Sequence, residues 1–148
     1  MYQEVSFMSE NNVFLDSNIL IYAYDISAGE KNEIAKNLVM ELWNSRRGTI
    51  STQVIQEFFV NITSKIPKPI DADTAEIIIR DLLYWKVLVN DETSILEAIR
   101  IHKKHEFSFW DALILQSAVK GGAEILYTED MTHGQVVEGI HILNPFLV

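Results

Sequence analysis

The chain has 148 residues, of which 48% are hydrophobic and 22% charged, and its formal net charge is −9. This length fits one domain with its own core, and the absence of cysteine excludes disulfides, thiolate zinc sites and thiol nucleophiles. The negative charge opposes general electrostatic binding to nucleic acid, unless bound cations reverse it locally.

Residues 1–12 contain no basic segment followed by a long apolar run, so we interpret them as an N-terminal extension and not as a secretory signal. Met1 and Met8 are both possible translation starts. The apolar stretches are well below the roughly 18 residues needed to cross a bilayer. We therefore expect a single cytoplasmic domain spanning residues 1–148, with no membrane partner.

The first predicted element is a short buried strand, Val13–Asp16, that leads into a helix. Ser17 and Asn18 are good N-cap residues for that helix, so a capping role for Asp16 is redundant. The pattern further predicts, in chain order, helix 30–46, strand 49–51, helix 52–66, helix 73–85, strand 86–90, a helix ending near 104, helix 108–120, and strands 124–127 and 141–143.

Cap and stop signals set several of these boundaries. Gly48 follows the 30–46 helix as a stop, and two prolines within residues 66–71 separate the next two helices. The pattern Asp73-x-x-Glu76 matches a capping box, and Asp91 is the expected N-cap of the following helix.

Short apolar strands that alternate with helices predict an α/β sandwich with a mostly parallel sheet. Ligands of such sheets bind beyond the carboxyl ends of the strands. Asp16 and Asp130 both follow predicted strands. Both are therefore expected at that edge.

Asp111 lies on the apolar stripe of its predicted helix, in line with Ile114, Leu115 and Ala118. An unpaired charge in that position is costly, which favours a functional role. A capping box, Ser108-x-x-Asp111, is the alternative explanation and is compatible with such a role.

Glu57 and Asp130 carry weaker signals. Glu57 lies opposite the apolar side of its helix, where a solvated glutamate is the simpler interpretation, and Asp130 follows a strand beside Thr128, whose hydroxyl could orient a bound water. Together with Asp16 and Asp111 they form a set of carboxylates that suits Mg²⁺ or Mn²⁺, which prefer oxygen ligands. Such ions promote phosphodiester hydrolysis.

Four segments, in order along the chain, resemble the motifs of the PIN-domain family. They are VFLDSNILIYAYD at 13–25, STQVIQEFF at 51–59, FSFWDALILQSA at 107–118 and ILYTEDMTHGQVVEGIHILNPF at 125–146. The resemblance assigns the four acids of the family to Asp16, Glu57, Asp111 and Asp130, with Glu129 as an extra acid beside the last. Within this family, the motifs of the chain resemble those of VapC-like toxins.

This resemblance implies a three-layer α/β/α sandwich and metal-dependent endoribonuclease activity with Mg²⁺ or Mn²⁺, often in a homodimer that pairs with a small antitoxin protein. Asp16 and Asp111 would ligate the ion directly. Glu57 and Asp130 would complete its shell partly through waters and help to deprotonate the attacking water.

Further residues are expected around these acids. Supporting roles fall to Ser17, Asn18 and Thr128. Candidate phosphate contacts, for which solvated surface charge is the alternative, are Arg46, Arg47, Lys103 and Lys104. The side chains that could form either a dimer interface or the core are Trp43, Phe58, Phe59, Trp85 and Trp110.

Two other functions fit the same pattern. A catalytically inactive PIN-like module would bind RNA or protein without cleaving, and titration with Mn²⁺ would distinguish it. A phosphoacceptor signalling domain is also doubly wound with an acidic pocket, but two of the acids lie in helices and no strand-end lysine is well placed. Phosphorylation by acetyl phosphate would reveal the latter.

Overall fold

The computed structural model describes residues 11–147. Met1, Met8 and most of the predicted N-terminal extension lie outside the described residues. Asn11 is buried, and the carbonyl of Asn12 accepts the backbone N–H groups of Glu124 and Ile125 at 2.9 and 3.3 Å. The chain is therefore anchored to the sheet immediately before its first strand.

Six strands and six α-helices make up this part of the chain. The strands are β1 (Val13–Leu15), β2 (Gly48–Ser51), β3 (Lys86–Leu88), β4 (Ile125–Tyr127), β5 (Val136–Val137) and β6 (Ile140–Leu143). The helices are α1 (Ser17–Tyr24), α2 (Glu30–Ser45), α3 (Thr52–Ser64), α4 (Ala72–Leu82), α5 (Glu92–His105) and α6 (Phe109–Lys120). Short 3₁₀ turns lie at Ile26–Ala28 and Pro145–Leu147.

The strands form one sheet in the order β3-β2-β1-β4-β6-β5, in which all neighbours are parallel except β5 and β6. This confirms the predicted α/β fold with a mostly parallel sheet flanked by helices. The antiparallel strand β5 was not predicted. Glu138 and Gly139, which connect it to β6, have φ values of 53° and 81°, as a two-residue hairpin turn requires.

The core lies where the middle strands meet the helices. Every residue of β1 is fully buried, and α6 is buried continuously from Ala112 to Ala118. Parallel strands covered on both faces need such apolar runs. On α3 the buried apolar side chains are Val54, Phe58 and Ile62, whereas Phe59 is 37% exposed, so of the two phenylalanines only Phe58 is a core residue.

The capping box predicted at Asp73-x-x-Glu76 is wrong. Asp71 is the N-cap of α4, because its extended backbone precedes the first helical residue and its carboxylate accepts the N–H and the hydroxyl of Thr74. Glu76 instead forms an ion pair with Arg80 one turn later, at 2.6 Å.

Gly48 is a strand residue and not a helix stop, because Arg46 ends α2 in the left-handed conformation with a φ of 59°. A Cβ on Gly48 would lie 2.5 Å from the ring of Trp85, so glycine is needed here for packing. Trp85 itself lies beyond the end of α4, in the core. No helix among residues 11–147 is long and apolar enough to cross a membrane.

Candidate active site

Asp16 lies directly after β1, at the carboxyl edge of the sheet, and is only 4% exposed. One of its oxygens, Oδ1, accepts the N–H of Ser17 at 2.7 Å, and Oδ2 accepts the hydroxyl of Thr128 at 2.8 Å. Asp16 is therefore the N-cap of α1. The expectation that Ser17 or Asn18 caps this helix is wrong, because the residue with extended backbone before the first turn is Asp16.

Ser17 and Asn18, which are not needed as caps, contact two of the other acids. The hydroxyl of Ser17 donates to Oε1 of Glu57 at 2.8 Å. The amide of Asn18 donates to Oδ2 of Asp130 at 2.9 Å. The first turn of α1 thus bonds to the carboxylates that come from α3 and from the loop after β4.

Thr128 is fully buried and joins the loops that follow β1 and β4. Its hydroxyl donates to Asp16 and accepts the backbone N–H of Asp130 at 3.1 Å. The N–H of Asp16 in turn donates to the carbonyl of Tyr127 at 3.0 Å. Asp16 and Asp130, the two acids that follow strands, are thus both hydrogen-bonded to the hydroxyl of Thr128.

Gln53 is a site residue that sequence reasoning missed. Its Nε2 lies 3.5 Å from Oε2 of Glu57 and 3.4 Å from the carbonyl of Trp110, so it links α3 to the start of α6. Gln53 is 6% exposed, and its Oε1 has no hydrogen-bond partner. Its spacing of four residues before Glu57 on a helix is the signal that could have identified it.

Asp111 lies in the first turn of α6, where its N–H donates to the hydroxyl of Ser108 at 3.1 Å. Ser108 is therefore the N-cap of α6, as one half of the predicted capping box. The carboxylate of Asp111 is half-buried. Its pKa is raised first by burial and then by the negative charges of Asp130 and Glu57.

Burial also raises the pKa of Asp16, to about 7, and the charges of Asp130 and Glu57 add to this effect, while the hydrogen bonds from Thr128 and Ser17 oppose it. Glu57 and Asp130 therefore act on both Asp16 and Asp111. We refer to Asp16, Glu57, Asp111 and Asp130 as the four-acid cluster. The structure brings all four predicted acids into one electrostatic neighbourhood.

Glu129, the extra acid beside Asp130, is directed away from the cluster. Its carboxylate accepts the hydroxyl of Tyr22 at 2.7 Å and forms an ion pair with Lys31. Burial would raise the pKa of Glu129, but the bonds to Lys31 and Tyr22 outweigh it and lower the pKa. The Lys31 ammonium also lies 5.0 Å from the ring centroid of Tyr22. The carboxylate that accepts the Asn18 amide is that of Asp130, whereas Glu129 contacts Asn18 only through its backbone N–H, which donates to Oδ1 of Asn18 at 3.3 Å.

Two of the four candidate phosphate contacts cannot serve this cluster. Arg46 and Arg47 precede β2, and the parallel pairing of Val13 with Gly48 puts them at the amino edge of the sheet, opposite Asp16. Of the other two, Lys104 lies 3.8 Å from Glu138, and Lys103 is exposed near the end of α5.

The donor set suits a hard divalent cation reached partly through water. Among residues 11–147, no three acidic or histidine side chains converge closely enough to hold a metal ion by direct contacts alone. The hydroxyl of Ser17 and the amide of Asn18 lie between the carboxylates. Mg²⁺ usually keeps several waters and binds one or two carboxylates directly. A buried carboxyl such as Asp16, whose pKa is raised to about 7, would gain from a nearby positive charge.

Comparison with known proteins agrees with this fold. The model of the family described as PIN domain matches residues 13–137. A comparison with curated proteins gives no match.

Three solved structures share the fold of this chain. Their sequence identities are low, so the similarity is evidence for the fold alone. VapC20 of Mycobacterium tuberculosis, described as a sarcin–ricin loop cleaving toxin, has 20% identity and a TM-score of 0.61, covering 80% of this chain and 89% of that one. A toxin–antitoxin complex from Klebsiella pneumoniae has 20% identity and a TM-score of 0.65, with coverages of 90% and 97%. FitAB bound to an IR36 DNA fragment has 18% identity and a TM-score of 0.64, with coverages of 90% and 95%.

Proposed function

The chain belongs to the PIN-domain family, and on that premise we propose that it is a metal-dependent endoribonuclease that hydrolyses RNA phosphodiester bonds. PIN domains are typically metal-dependent nucleases. The observation that carries the proposal is the four-acid cluster, in which Glu57 and Asp130 raise the pKa of both Asp16 and Asp111. Like charges gathered at one sheet edge cost stability, so a counter-charge is expected there.

We assign direct ligation of Mg²⁺ or Mn²⁺ to Asp16 and Asp111, and ligation partly through waters to Glu57 and Asp130. When bound, such an ion polarises the phosphodiester, lowers the pKa of an attacking water and stabilises the leaving oxygen. This assignment fits the four-acid cluster, because its carboxylates interact electrostatically but do not contact one another directly.

The residues of the chain itself would hold the acids in position and move the proton. Ser17 and Gln53 hold opposite oxygens of the Glu57 carboxylate, and Asn18 holds one oxygen of Asp130. Oδ1 of Asp130 is not engaged by these residues, and each Glu57 oxygen keeps a second lone pair, so either carboxylate can accept the proton of the attacking water. Thr128 keeps Asp16 oriented through a bond that does not depend on the ion.

Cleavage of RNA should require Mg²⁺ or Mn²⁺ and stop in EDTA. Asp16→Asn and Asp111→Asn should each slow it about a hundredfold or more, because each removes a ligand charge. Asp25→Asn is the matched control, since Asp25 is a similarly buried capping carboxylate about 13 Å away at the other end of α1. Robust cleavage in EDTA would refute the mechanism. Stabilisation by Mn²⁺ without any cleavage would instead indicate an inactive RNA- or protein-binding module.

We further propose that the protein is the toxin of a toxin–antitoxin pair and forms a homodimer in the cytoplasm. The support is the fold shared with a toxin and with a toxin–antitoxin complex. Expression of the wild type alone should arrest growth, and Asp16→Asn should relieve the arrest. Equal toxicity of the two forms would contradict the proposal.

The antitoxin should be a small protein that places an arginine among the four acids, because the guanidinium fork matches carboxylate acceptors. Co-expression with a neighbouring small reading frame tests this, and a partner that leaves the cluster accessible to Mn²⁺ would argue against it. Sedimentation equilibrium tests the homodimer.

A further inference from the structure

Trp110 is a large exposed aromatic residue whose backbone lies at the rim of the four-acid cluster. It is the residue immediately before Asp111, in the first turn of α6, and 62% of it is exposed. Tryptophan is highly buried on average, so this degree of exposure beside a candidate active site calls for a functional explanation.

The backbone and one edge of Trp110 are held in place. Its carbonyl accepts the same Gln53 amide that lies 3.5 Å from the Glu57 carboxylate. The ring of Phe109 meets the indole edge to face, with centroids 5.2 Å apart. The backbone of Trp110 thus belongs to the same hydrogen-bond network as the acids, while most of the residue's surface is available to a ligand.

The charges around the cluster do not favour binding through phosphates. The four acids repel a polyanion, Arg46 and Arg47 lie at the opposite edge of the sheet, and Lys31 is engaged by Glu129. The chain as a whole carries a formal charge of −9. Apart from the contact of the cleaved phosphate with the proposed ion, we therefore expect RNA to bind at this rim largely through uncharged contacts. Base stacking on an aromatic ring is one that needs no cation.

We propose that Trp110 forms a base-binding subsite, on which an unpaired nucleobase next to the cleaved phosphodiester of a single-stranded RNA stacks. This inference rests on the proposed ribonuclease function. Every nucleobase offers a π-face, so the subsite requires an unstacked base and tolerates any of the four. It selects single-stranded or looped RNA over duplex RNA.

The test is a double-mutant cycle between Trp110 and single bases of a short single-stranded RNA with one cleavage site. Each base in turn is replaced by an abasic ribose, and kcat/KM is measured for wild type, Trp110→Ala and Trp110→Phe. At one position beside the cut, the abasic change should lower wild-type kcat/KM about 5- to 150-fold, the range for one stacked base. In Trp110→Ala the same change should have little further effect, and Trp110→Phe should keep most of the wild-type value.

Tyr84→Ala is the matched control, because Tyr84 is 85% exposed but precedes β3 at the opposite edge of the sheet. It should leave every abasic effect intact. An unchanged melting temperature of each variant excludes unfolding. If the effect of Trp110→Ala is additive with that of every abasic change, the subsite proposal is wrong. It is also wrong if Trp110→Ala loses activity because a dimer dissociates, since the indole would then be covered by a second copy of the chain.

The cycle also separates this inference from the ribonuclease proposal. If the wild type cleaves RNA but shows no coupling, only the subsite is wrong. If the wild type cleaves nothing, the ribonuclease proposal fails, and the same cycle is run on equilibrium binding of the same oligonucleotides by fluorescence anisotropy. Coupling of the same size in that assay supports the subsite, and additivity refutes it.

Discussion

Replacing Asp16 with asparagine should change how the stability of the metal-free protein depends on pH. The Asp16 carboxyl is 4% exposed, and burial raises its pKa from 3.8 to about 7. The native state therefore holds this proton to a higher pH than the unfolded state does. The stability associated with the protonated form is fully present below pH 3.8 and is lost as the pH rises through about 7.

The size of the effect follows from the pKa difference. At 1.36 kcal/mol per pKa unit, a shift from 3.8 to about 7 corresponds to about 4 kcal/mol of lost stability at pH 8. Asparagine cannot ionise, so the variant avoids this loss. It gives up one hydrogen bond, because its single oxygen accepts the Ser17 N–H and its NH2 group cannot accept the Thr128 hydroxyl proton, at a cost of about 0.5–1.5 kcal/mol at any pH. At pH 8 the variant should therefore be more stable than wild type by about 3 kcal/mol.

Urea unfolding in EDTA, followed by tryptophan fluorescence at half-unit steps from pH 5 to pH 8, measures this difference. The free energies of unfolding of wild type and Asp16→Asn should diverge as the pH rises. Asp25→Asn provides the comparison for the loss of a buried capping carboxylate at the far end of α1. Parallel pH profiles of wild type and Asp16→Asn would show that Asp16 ionises normally in the fold, and the electrostatic description of the cluster would be wrong.

Three further predictions use other residues. Mn²⁺ at 100 times its Kd should stabilise the wild type by about 2.7 kcal/mol, which is measured as a higher Tm, and it should stabilise Asp111→Asn by less. Equal shifts in Tm would mean that Asp111 only takes part in capping its helix. Glu129→Gln should cleave RNA within a few fold of wild type while Asp130→Asn loses about a hundredfold or more, and the reverse order would exchange their roles. Thermal unfolding should show that Asp71→Ala costs about 1 kcal/mol. Asp73→Ala should change the stability by only a few tenths of a kcal/mol, because alanine is the better helix former, and similar losses for both would contradict the observed cap of α4.

The helices and buried strands could be predicted because their apolar periodicity is strong. The runs around Val13–Leu15 and Ala112–Ala118 are buried almost completely, and burial of that kind leaves a clear pattern in the sequence. The two-residue strand β5 left no such pattern. Its turn uses Glu138 before Gly139, and glutamate lacks the preference for positive φ that makes Asn-Gly a recognisable turn.

Cap positions were harder to predict because several competent residues stand side by side. Asp16, Ser17 and Asn18 can all cap a helix, and the choice depends on which backbone is extended where α1 begins. The same holds for Asp71 and Asp73. The wrong cap assignment at α1 also concealed contacts in the candidate site. Ser17 and Asn18 can contact Glu57 and Asp130 only when Asp16 is the cap.

The four acids were predicted from motif resemblance, but the contacts that organise them were not. Gln53 meets Trp110 across 57 positions of sequence, and Lys31 meets Glu129 across 98. Such contacts follow from the order of the strands in the sheet. The spacing of Gln53 and Glu57 places both on one helix face, but neither Gln53 nor Lys31 carries a sequence signal of the distant residue that it contacts, so those contacts are seen only in the folded structure.

The bond between Asp16 and Thr128 joins residues that are 112 positions apart, and it links the central strand β1 with a strand that is made late in synthesis. A growing chain therefore carries Asp16, Glu57 and Asp111 for some time before the loop after β4 exists. In the sheet, β4 lies between β1 and β6. Strands β6 and β5 therefore have no neighbour to pair with until residues 125–130 have left the ribosome. The four-acid cluster therefore cannot assemble until the loop after β4 has joined the sheet beside β1.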